Sequence, residues 1–427
     1  MIPAFGLVLL SSLLHTAGST TLYPQQTAQR PPTLLLDFQK NNVSSSWAPG
    51  HPIEWNNKTA LKFTFNDGGP VGWVSGSIWG AELSPDEKYL VTSNVKNHVS
   101  VVDFTTGTTV FNTTLASTYT RGESALRVLA NPAGGYDVLV SLGYQELHRL
   151  RLSPDGTQIG NATIYSGGLL WKQTSPSISH SGRRFLVANP NVPYYNLYDL
   201  DDANVQLNLS NQIKTTDFDC AFTPDDQHVV ATSRTWGNEG STKLFSTTTG
   251  ALVRDFGDTS SEVISISPDG KVLVTTYSWD TIQIWSLFNE TADHINLDIP
   301  LPLNGGFTSL KWSPDGAYLV AGNYGNIFIW KMAPSPQLVQ HWQMDVDYYD
   351  VLQILWLGTT KQLVYRAYGG LEIYDTESNL KYRWGFGPNS HWTIGPSQPT
   401  KTILAKGKGW IGGLDSDGIV RFWAYPL

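Results

Sequence analysis

The stretch that decides the fold is ISISPDGKVLVTTYSWDTIQIWSL, which runs from Ile264 to Leu287. It contains three short runs in which apolar residues alternate with polar ones, the pattern of a β-strand with one buried face. The first two runs are joined by Ser267-Pro268-Asp269-Gly270, in which proline presets the turn, aspartate can close it, and glycine accepts a left-handed exit. The link Tyr277-Ser278-Trp279-Asp280 joins the second and third runs. The stretch therefore predicts three antiparallel strands.

Turns of this kind, each followed by an apolar run, recur eight times along the chain. They begin at Ser84, Asn131, Ser179, Thr223, Ser267, Ser313, Gly358 and Pro396, at intervals of 38 to 48 residues. A period in the forties with four strands per unit is typical of a β-propeller blade. We predict an all-β chain forming a single β-propeller of eight blades, each of four antiparallel strands. Seven blades is the alternative, because the last two turns are degenerate.

The fourth strand of each unit lies where a further apolar run precedes the next repeat. These strands are predicted at 109–115, 158–165, 205–209, 252–256, 294–298, 338–344 and 380–386. The eighth unit ends at Leu427 without one. A strand from the N-terminal region, at 34–38 or 61–65, can complete that unit and remove its exposed edge, thereby closing the ring.

Three repeat units resemble those of the WD40 and YVTN-like propeller superfamily. They are SPDEKYLVTSNVKNHVSVVDFTTG from Ser84, SPDGKVLVTTYSWDTIQIWSL from Ser267, and SPDGAYLVAGNYGNIFIWKM from Ser313. The resemblance covers the chain from about residue 79 to its end and implies the fold only. The units lack the Gly-His pair of true WD40 repeats, and Ser286 and Lys331 stand where aspartate follows tryptophan in that family.

The N-terminal residues predict secretion. Residues 4–14 are mostly apolar and are followed by small residues suited to cleavage, so residues 1–18 are interpreted as a signal peptide. Residues 19–59 form an extension, and residues 60–427 form the propeller. The apolar segment is too short to span a bilayer, and no later stretch is long and apolar enough. We therefore expect a protein secreted or held in the lumen of the secretory pathway.

Six asparagines stand in acceptor sequences for N-glycosylation, and four of them fall at or near predicted outer strands. They are Asn42, Asn57, Asn112, Asn161, Asn208 and Asn289. The chain has one cysteine, Cys220, so it can form no intramolecular disulfide. The Cys220 thiol is interpreted as part of a buried strand, because no histidine or basic residue lies near it in the sequence.

The net charge of −8 argues against nucleic acid and anionic membranes as partners, since both attract a basic face. Motifs for nucleotide, metal or nucleophile chemistry are absent. Asp345, Asp347 and Asp350 could form a cation cluster, but acids on a loop are usually hydrated. We predict no metal and no cofactor.

Aromatic residues predict the ligand face. Loops joining the second and third strands of all blades meet at one end of a propeller, where ligands commonly bind. Turns ordinarily contain small polar residues, so large rings there favour binding, although single rings can also pack between blades. The candidate substrate-binding residues on these and the inter-blade links are Trp236, Tyr277, Trp279, Tyr324, Tyr349 and Tyr368. Such a mouth suits an apolar or polycyclic small molecule.

Arg121, Lys172 and His391 are the candidate catalytic donors, because they are predicted on the same face. The predicted secretion signal, the glycosylation sequences and the aromatic face also make the chain resemble the secreted fungal propellers of natural-product pathways. Among these are the hetero-Diels–Alderases of tropolone sesquiterpenoid biosynthesis. That resemblance implies a cofactor-free cyclase, which holds its reactants in a near-attack pose. The alternative is a non-catalytic extracellular propeller that binds a glycan or a protein.

Overall fold

The fold is described from a computed structural model. It describes residues 78–424 apart from 95–96, 117–125, 143–145, 167–176, 190–193, 203–204, 210–218, 235–239, 258–260, 262, 278–280, 292, 300–305, 324–325, 344–353, 358–361, 368–369, 377–380, 386–402, 407–409 and 415–419. The predicted signal peptide, the N-terminal extension and both candidate closing strands lie outside these residues. Within the described ranges, no helix is long and apolar enough to cross a membrane.

The described residues form eight antiparallel sheets, numbered here in chain order; sheets 1 to 7 have four strands and sheet 8 has three. Sheets 1 to 4 contain β1 Ile78–Leu83, β2 Tyr89–Asn94, β3 His98–Asp103, β4 Thr109–Thr114, β5 Leu126–Ala130, β6 Tyr136–Leu142, β7 Glu146–Leu152, β8 Gln158–Ser166, β9 Ser177–Ile178, β10 Arg184–Asn189, β11 Tyr194–Asp199, β12 Val205–Leu209, β13 Cys220–Phe222, β14 His228–Arg234, β15 Gly240–Ser246 and β16 Leu252–Asp255. Sheets 5 to 8 contain β17 Ile264–Ile266, β18 Val272–Tyr277, β19 Thr281–Ser286, β20 Ile295–Asn296, β21 Phe307–Trp312, β22 Tyr318–Asn323, β23 Asn326–Lys331, β24 Gln337–Gln343, β25 Ile354–Trp356, β26 Gln362–Ala367, β27 Gly370–Asp375, β28 Lys381–Gly385, β29 Ile403–Lys406, β30 Trp410–Leu414 and β31 Val420–Ala424.

The turn from Ser267 to Gly270 has the predicted geometry. The backbone N–H of Gly270 donates to the Ser267 carbonyl at 2.9 Å, and Gly270 has a φ of 71°. Ser267 Oγ donates to Asp269 Oδ1 at 2.6 Å and accepts the Val272 N–H at 3.0 Å. The serine and aspartate therefore hold the turn between β17 and β18 from both sides, as Ser313 and Asp315 do between β21 and β22.

Consecutive sheets pack face to face through apolar clusters. Between sheets 1 and 2, Val91 and Val101 pack with Val138 and Val140, all fully buried. Comparable clusters join sheets 2 and 3, 3 and 4, 4 and 5, 5 and 6, and 6 and 7. Each fully buried aliphatic side chain contributes about 1.5–3 kcal/mol, so these interfaces hold neighbouring sheets together.

The first strands of several sheets lie side by side. β1 contacts β5, and β13 contacts β9 and β17. β21 likewise contacts β17 and β25. At the end of the chain, β29 contacts β26 and β1. In a β-propeller the first strands face the central channel, and that name is used below in this sense.

The all-β class and the series of four-stranded antiparallel sheets are confirmed. The seven predicted fourth strands correspond to β4, β8, β12, β16, β20, β24 and β28, with small differences at their ends. Sheet 8 has three described strands, as the sequence predicted.

The tryptophans of sheets 5 and 6 differ in how their indoles are bonded. Trp285 Nε1 donates to Thr275 Oγ1 at 3.0 Å, which joins β19 to β18. In sheet 6 the strand register puts Ala321 where sheet 5 has Thr275. Trp330 Nε1 is buried and has no hydrogen-bond partner in the described part of the chain. The loss of one hydroxyl thus explains why the second indole is unpaired.

Candidate functional site

Of the six candidate substrate-binding residues, Tyr277 is the one that lies within the described ranges. It is the last residue of β18, pairs with Thr281 across the hairpin, and is 39% exposed. Its strand neighbours Thr275 and Thr276 are buried. Because a buried strand ends in an exposed ring, Tyr277 is available for contact at the link between β18 and β19.

The other predicted site residues lie outside the described ranges. These are Arg121, Lys172 and His391 among the donors, and Trp236, Trp279, Tyr324, Tyr349 and Tyr368 among the aromatic residues. The three loop aspartates considered as a cation cluster, Asp345, Asp347 and Asp350, also lie outside them. Among the residues that are described, no group of histidine, cysteine, aspartate or glutamate side chains could hold a metal ion.

The spacing of the repeats predicts Tyr194 and Tyr195 in the link between the second and third strands of sheet 3, and this prediction is wrong. Both residues begin β11, and Tyr195 is fully buried. Its hydroxyl donates a hydrogen bond to the carbonyl of Thr232 on β14 of the next sheet. Tyr195 therefore joins two sheets and is not available to a ligand.

Four of the predicted glycosylation sites are described, and all four asparagines are exposed. Asn112, Asn161 and Asn208 lie on β4, β8 and β12, the outermost strands of sheets 1 to 3. Asn289 lies between β19 and β20, where Asn289 Oδ1 accepts hydrogen bonds from Thr291 N and Oγ1 at 3.1 and 2.8 Å. Asn42 and Asn57 lie outside the described residues. Cys220 begins β13, so the expected strand position is confirmed, and its thiol is half-buried.

A buried charge network joins sheets 2 and 3. Arg149 on β7 donates to both carboxylate oxygens of Asp137, at 2.8 and 2.7 Å, and to Asp201 Oδ1 at 3.0 Å. It also donates to the Leu200 carbonyl at 2.9 Å. Asp137 and Arg149 are 2% and 6% exposed. Asp137, Arg149 and Asp201 are called the Arg149 network below, and its complete pairing indicates a role in holding the sheets together.

A second group of charges lies on the first strands, around the central channel. Glu82 is on β1, Arg127 on β5 and Lys311 on β21, and together they are called the channel cluster. Glu82 Oε1 lies 3.4 Å from Arg127 Nη1 and also accepts the backbone N–H of Val128. The carboxylate therefore bridges the first strands of sheets 1 and 2.

Two pKa shifts characterise the channel cluster. Burial raises the pKa of Glu82 to about 7, and the nearby Arg127 charge offsets part of that rise. The pKa of Lys311 is lowered, first by burial and then by the positive charge of Arg127.

The sequence prediction of the site missed the channel cluster entirely. The three residues come from repeats one, two and six, and each looks like a polar residue on an alternating strand. One signal was present: Glu82 and Lys311 both stand two residues before the turn serine, in Glu82-Leu83-Ser84 and Lys311-Trp312-Ser313. Leu129 and Ala221 occupy the same position in other repeats, so a charged residue there is a departure from the pattern.

The comparisons with known proteins agree with this architecture. The WD40 family model, described as WD domain, G-beta repeat, matches residues 250–286 and 302–331. The chain is similar to the computationally designed Ika8 protein, with a TM-score of 0.58 and 13% identity over 83% of this chain and 98% of that one. It is also similar to the C-terminal WD40 domain of Sif2, with a TM-score of 0.59 and 13% identity over 82% of this chain and 96% of that one.

None of the curated proteins matches the sequence. At 13% identity the two solved structures show the fold alone. The chain has a WD40-repeat β-propeller fold, and the resemblance of its repeat units to that superfamily is confirmed at the level of the fold.

Proposed function

We propose that this propeller binds an apolar or polycyclic small molecule on the face where the second and third strands of its sheets are linked. The observation that supports the proposal is Tyr277, whose ring is exposed at the end of a strand with a buried interior. An exposed tyrosine offers a large flat surface at low conformational cost, which favours stacking against a flat ligand. Trp279, two residues later in the sequence, is a second aromatic candidate on the same link.

Binding of Nile red, a neutral polycyclic dye, tests the proposal by fluorescence titration. Replacing both Tyr277 and Trp279 with alanine should weaken dye binding about tenfold, because each lost ring contact contributes about 0.5–1.5 kcal/mol. Phe288→Ala is the matched control, since Phe288 is 49% exposed and lies in the link after β19, on the outer side of the same sheet. Equal binding by the double variant and by Phe288→Ala would reject the proposed face.

We further propose catalysis on this face by a cofactor-free cyclase of the hetero-Diels–Alderase type. Such chemistry needs a shaped pocket and one donor, for which Arg121, Lys172 and His391 are the candidates. Turnover of a diene and dienophile pair should fall in His391→Ala or Arg121→Ala while dye affinity stays constant. Binding of a soluble glycan in place of the dye would favour the non-catalytic alternative.

Secretion and glycosylation are proposed together. They are supported by the exposure of all four described sequon asparagines, because an exposed outer strand has room for a glycan. Expression in a secreting yeast should yield protein in the medium whose mobility increases after treatment with an N-glycosidase. Replacing Asn112, Asn161, Asn208 and Asn289 with glutamine should remove most of that mobility change. Retention inside the cell without glycans would contradict the proposal.

We also propose eight blades, with the eighth completed by an N-terminal strand from 34–38 or 61–65. The three described strands of sheet 8 and the contact between β29 and β1 support this. Deleting residues 34–65 should lower the stability of the whole propeller, because sheet 8 then keeps an unpaired edge. Unchanged cooperative unfolding of the deleted protein would argue against a closing strand in this region.

A further inference from the structure

We propose that two of the predicted glycosylation sites accept a glycan only before the protein folds, whereas a third accepts one on the folded protein. Asn112 and Asn161 form the first class, and Asn289 forms the second. The proposal rests on the proposed secretion and glycosylation, and it adds the order of modification and folding. Asn208 is assigned to neither class, because the hydroxyl residue of its acceptor sequence, Ser210, lies outside the described residues.

The reaction determines what an acceptor site must present. The glycan donor of the secretory pathway is an oligosaccharide linked to a lipid diphosphate. The asparagine Nδ2 forms a bond to the anomeric carbon and loses one proton, while the bond from that carbon to the diphosphate breaks and the diphosphate leaves with the electron pair. The acceptor sequence also requires a hydroxyl two residues after the asparagine. The transferase must therefore reach both side chains at once.

On β4 the hydroxyl of the acceptor sequence is already bonded to the neighbouring strand. Asn112 and Thr114 are exposed, and they share one face of the strand because they are two residues apart. Thr114 Oγ1 lies 2.7 Å from His98 Nδ1, and these two residues are opposite each other between β3 and β4. Asn112 is likewise opposite Ser100 of β3. A transferase can bend this segment and take its hydroxyl only after β4 has left β3.

The same arrangement recurs on β8, in sheet 2. Thr163 Oγ1 lies 3.3 Å from His148 Nδ1, and these two residues are opposite each other between β7 and β8. His148 Nε2 donates to Glu146 Oε2 at 3.1 Å, which leaves Nδ1 to accept the hydroxyl of Thr163. Asn161 is opposite Leu150 of β7. Modification of Asn161 thus also requires the outermost strand to open.

Asn289 lies off the strands, in the link between β19 and β20. Its Oδ1 accepts a hydrogen bond from Thr291 Oγ1 at 2.8 Å, so the two side chains of the acceptor sequence lie together in one turn. Residues 288–291 are all exposed. The main chain is fixed by Arg254, whose Nη1 donates to the Asn289 carbonyl at 2.8 Å. The acceptor groups are therefore presented without the opening of any strand.

Glycosylation by a purified oligosaccharyltransferase, with a lipid-linked oligosaccharide as donor, tests this order. The full chain is made in the bacterial cytosol without glycans and shown to be folded by circular dichroism, and a synthetic peptide spanning each acceptor sequence is the unfolded reference. Mass spectrometry measures the rate at each asparagine. In the folded chain, Asn289 should react within about threefold of its peptide. Asn112 and Asn161 should react at least about tenfold more slowly than theirs, because only the fraction with an open outer strand reacts.

His98→Ala provides a variant in which one hydroxyl is released. Its loss frees Thr114, so modification of Asn112 in the folded chain should become about threefold faster or more, as expected for one lost hydrogen bond. Asn161 and Asn289 are the internal controls and should react at unchanged rates. An unchanged rate at Asn112 in a folded variant would overturn the role assigned to His98.

Two outcomes would overturn the order of modification itself. In one, Asn112 and Asn161 react as fast in the folded chain as in their peptides. In the other, Asn289 stays unmodified in the folded chain while its peptide reacts. Failure of the proposed glycosylation is a separate result, since it would appear as protein without glycans in the secreting yeast. Peptides that do not react would reject the acceptor sequences and both proposals with them.

Discussion

The Arg149 network and the channel cluster contain the same kinds of side chain, yet they differ in how completely their charges are paired. Arg149 is 6% exposed and donates to two carboxylates and a carbonyl, all within 3.0 Å. Arg127 is 48% exposed at its side chain and has one contact at 3.4 Å. The first group uses its donors between sheets 2 and 3, whereas the Arg127 guanidinium is largely exposed. Pairing, more than residue type, separates an architectural charge from an exposed one.

Breaking the Arg149 network should have the largest effect on stability. Arg149→Met leaves the Asp137 carboxylate buried with only a hydrogen bond from Asn131 Nδ2 at 3.1 Å and the Arg151 guanidinium at 3.8 Å, which should lower the free energy of unfolding by about 2–4 kcal/mol. Urea unfolding followed by circular dichroism measures the loss. In the double variant Asp137→Leu/Arg149→Met, the unpaired charge is also gone, so most of the stability should return. A loss below about 1 kcal/mol in Arg149→Met would contradict the architectural role.

The second largest effect is expected from pH, because Glu82 in the channel cluster should make the free energy of unfolding depend on pH. The pKa of Glu82 is about 7 in the folded protein and 4.5 when unperturbed, so the folded state binds the extra proton between these values. The contribution of Glu82 to stability is therefore fully present below about pH 4.5 and is lost as the pH rises through 7.

This loss should be on the order of 1–3 kcal/mol relative to Glu82→Gln, which cannot titrate. Urea unfolding at a series of pH values measures the difference between the two proteins. A constant difference across this window would show that Glu82 is not desolvated in the channel.

Much of the fold could be predicted from the sequence because its signals are local. The turn at Ser267 to Gly270 and the alternating runs on either side need no distant partner, and their recurrence gave the sheets and the outer strands. The tetrapeptide alone was insufficient, since Ser153-Pro154-Asp155-Gly156 has the same sequence and joins β7 to β8. The spacing of the repeats was what identified the turn between first and second strands.

The charged groups could not be predicted because their partners are distant in the sequence. Arg149 reaches Asp201, which follows β11 of the next sheet, and Arg127 contacts Glu82 of the preceding sheet. The prediction that placed Tyr195 in a link failed for a local reason. Two adjacent tyrosines favour strand geometry. Their position in β11 follows from that preference.

Tyr195 and Tyr277 differ in the same way as the two charge groups, because the first is buried and bonded to protein and the second is exposed. Tyr195→Phe removes a buried hydrogen bond to the Thr232 carbonyl and should cost about 1 kcal/mol. Tyr277→Phe removes a hydroxyl from an exposed ring and should leave stability unchanged. Thermal unfolding of both variants, side by side, measures the contrast. If Tyr277→Phe is the more destabilising of the two, the Tyr277 hydroxyl makes a structural hydrogen bond, and the availability of this residue to a ligand is wrong.

The smallest effect on stability is expected in the channel cluster. Lys311 has no partner in the described part of the chain, and both burial and the charge of Arg127 disfavour its protonated form. Lys311→Met keeps the length of the side chain and removes the repulsion, so the free energy of unfolding should stay within about 0.5 kcal/mol of the original protein. Urea unfolding of Lys311→Met beside Arg149→Met tests this directly. A loss for Lys311→Met that approaches the loss for Arg149→Met would mean that the lysine is paired architecturally, and the distinction between the two charge groups would disappear.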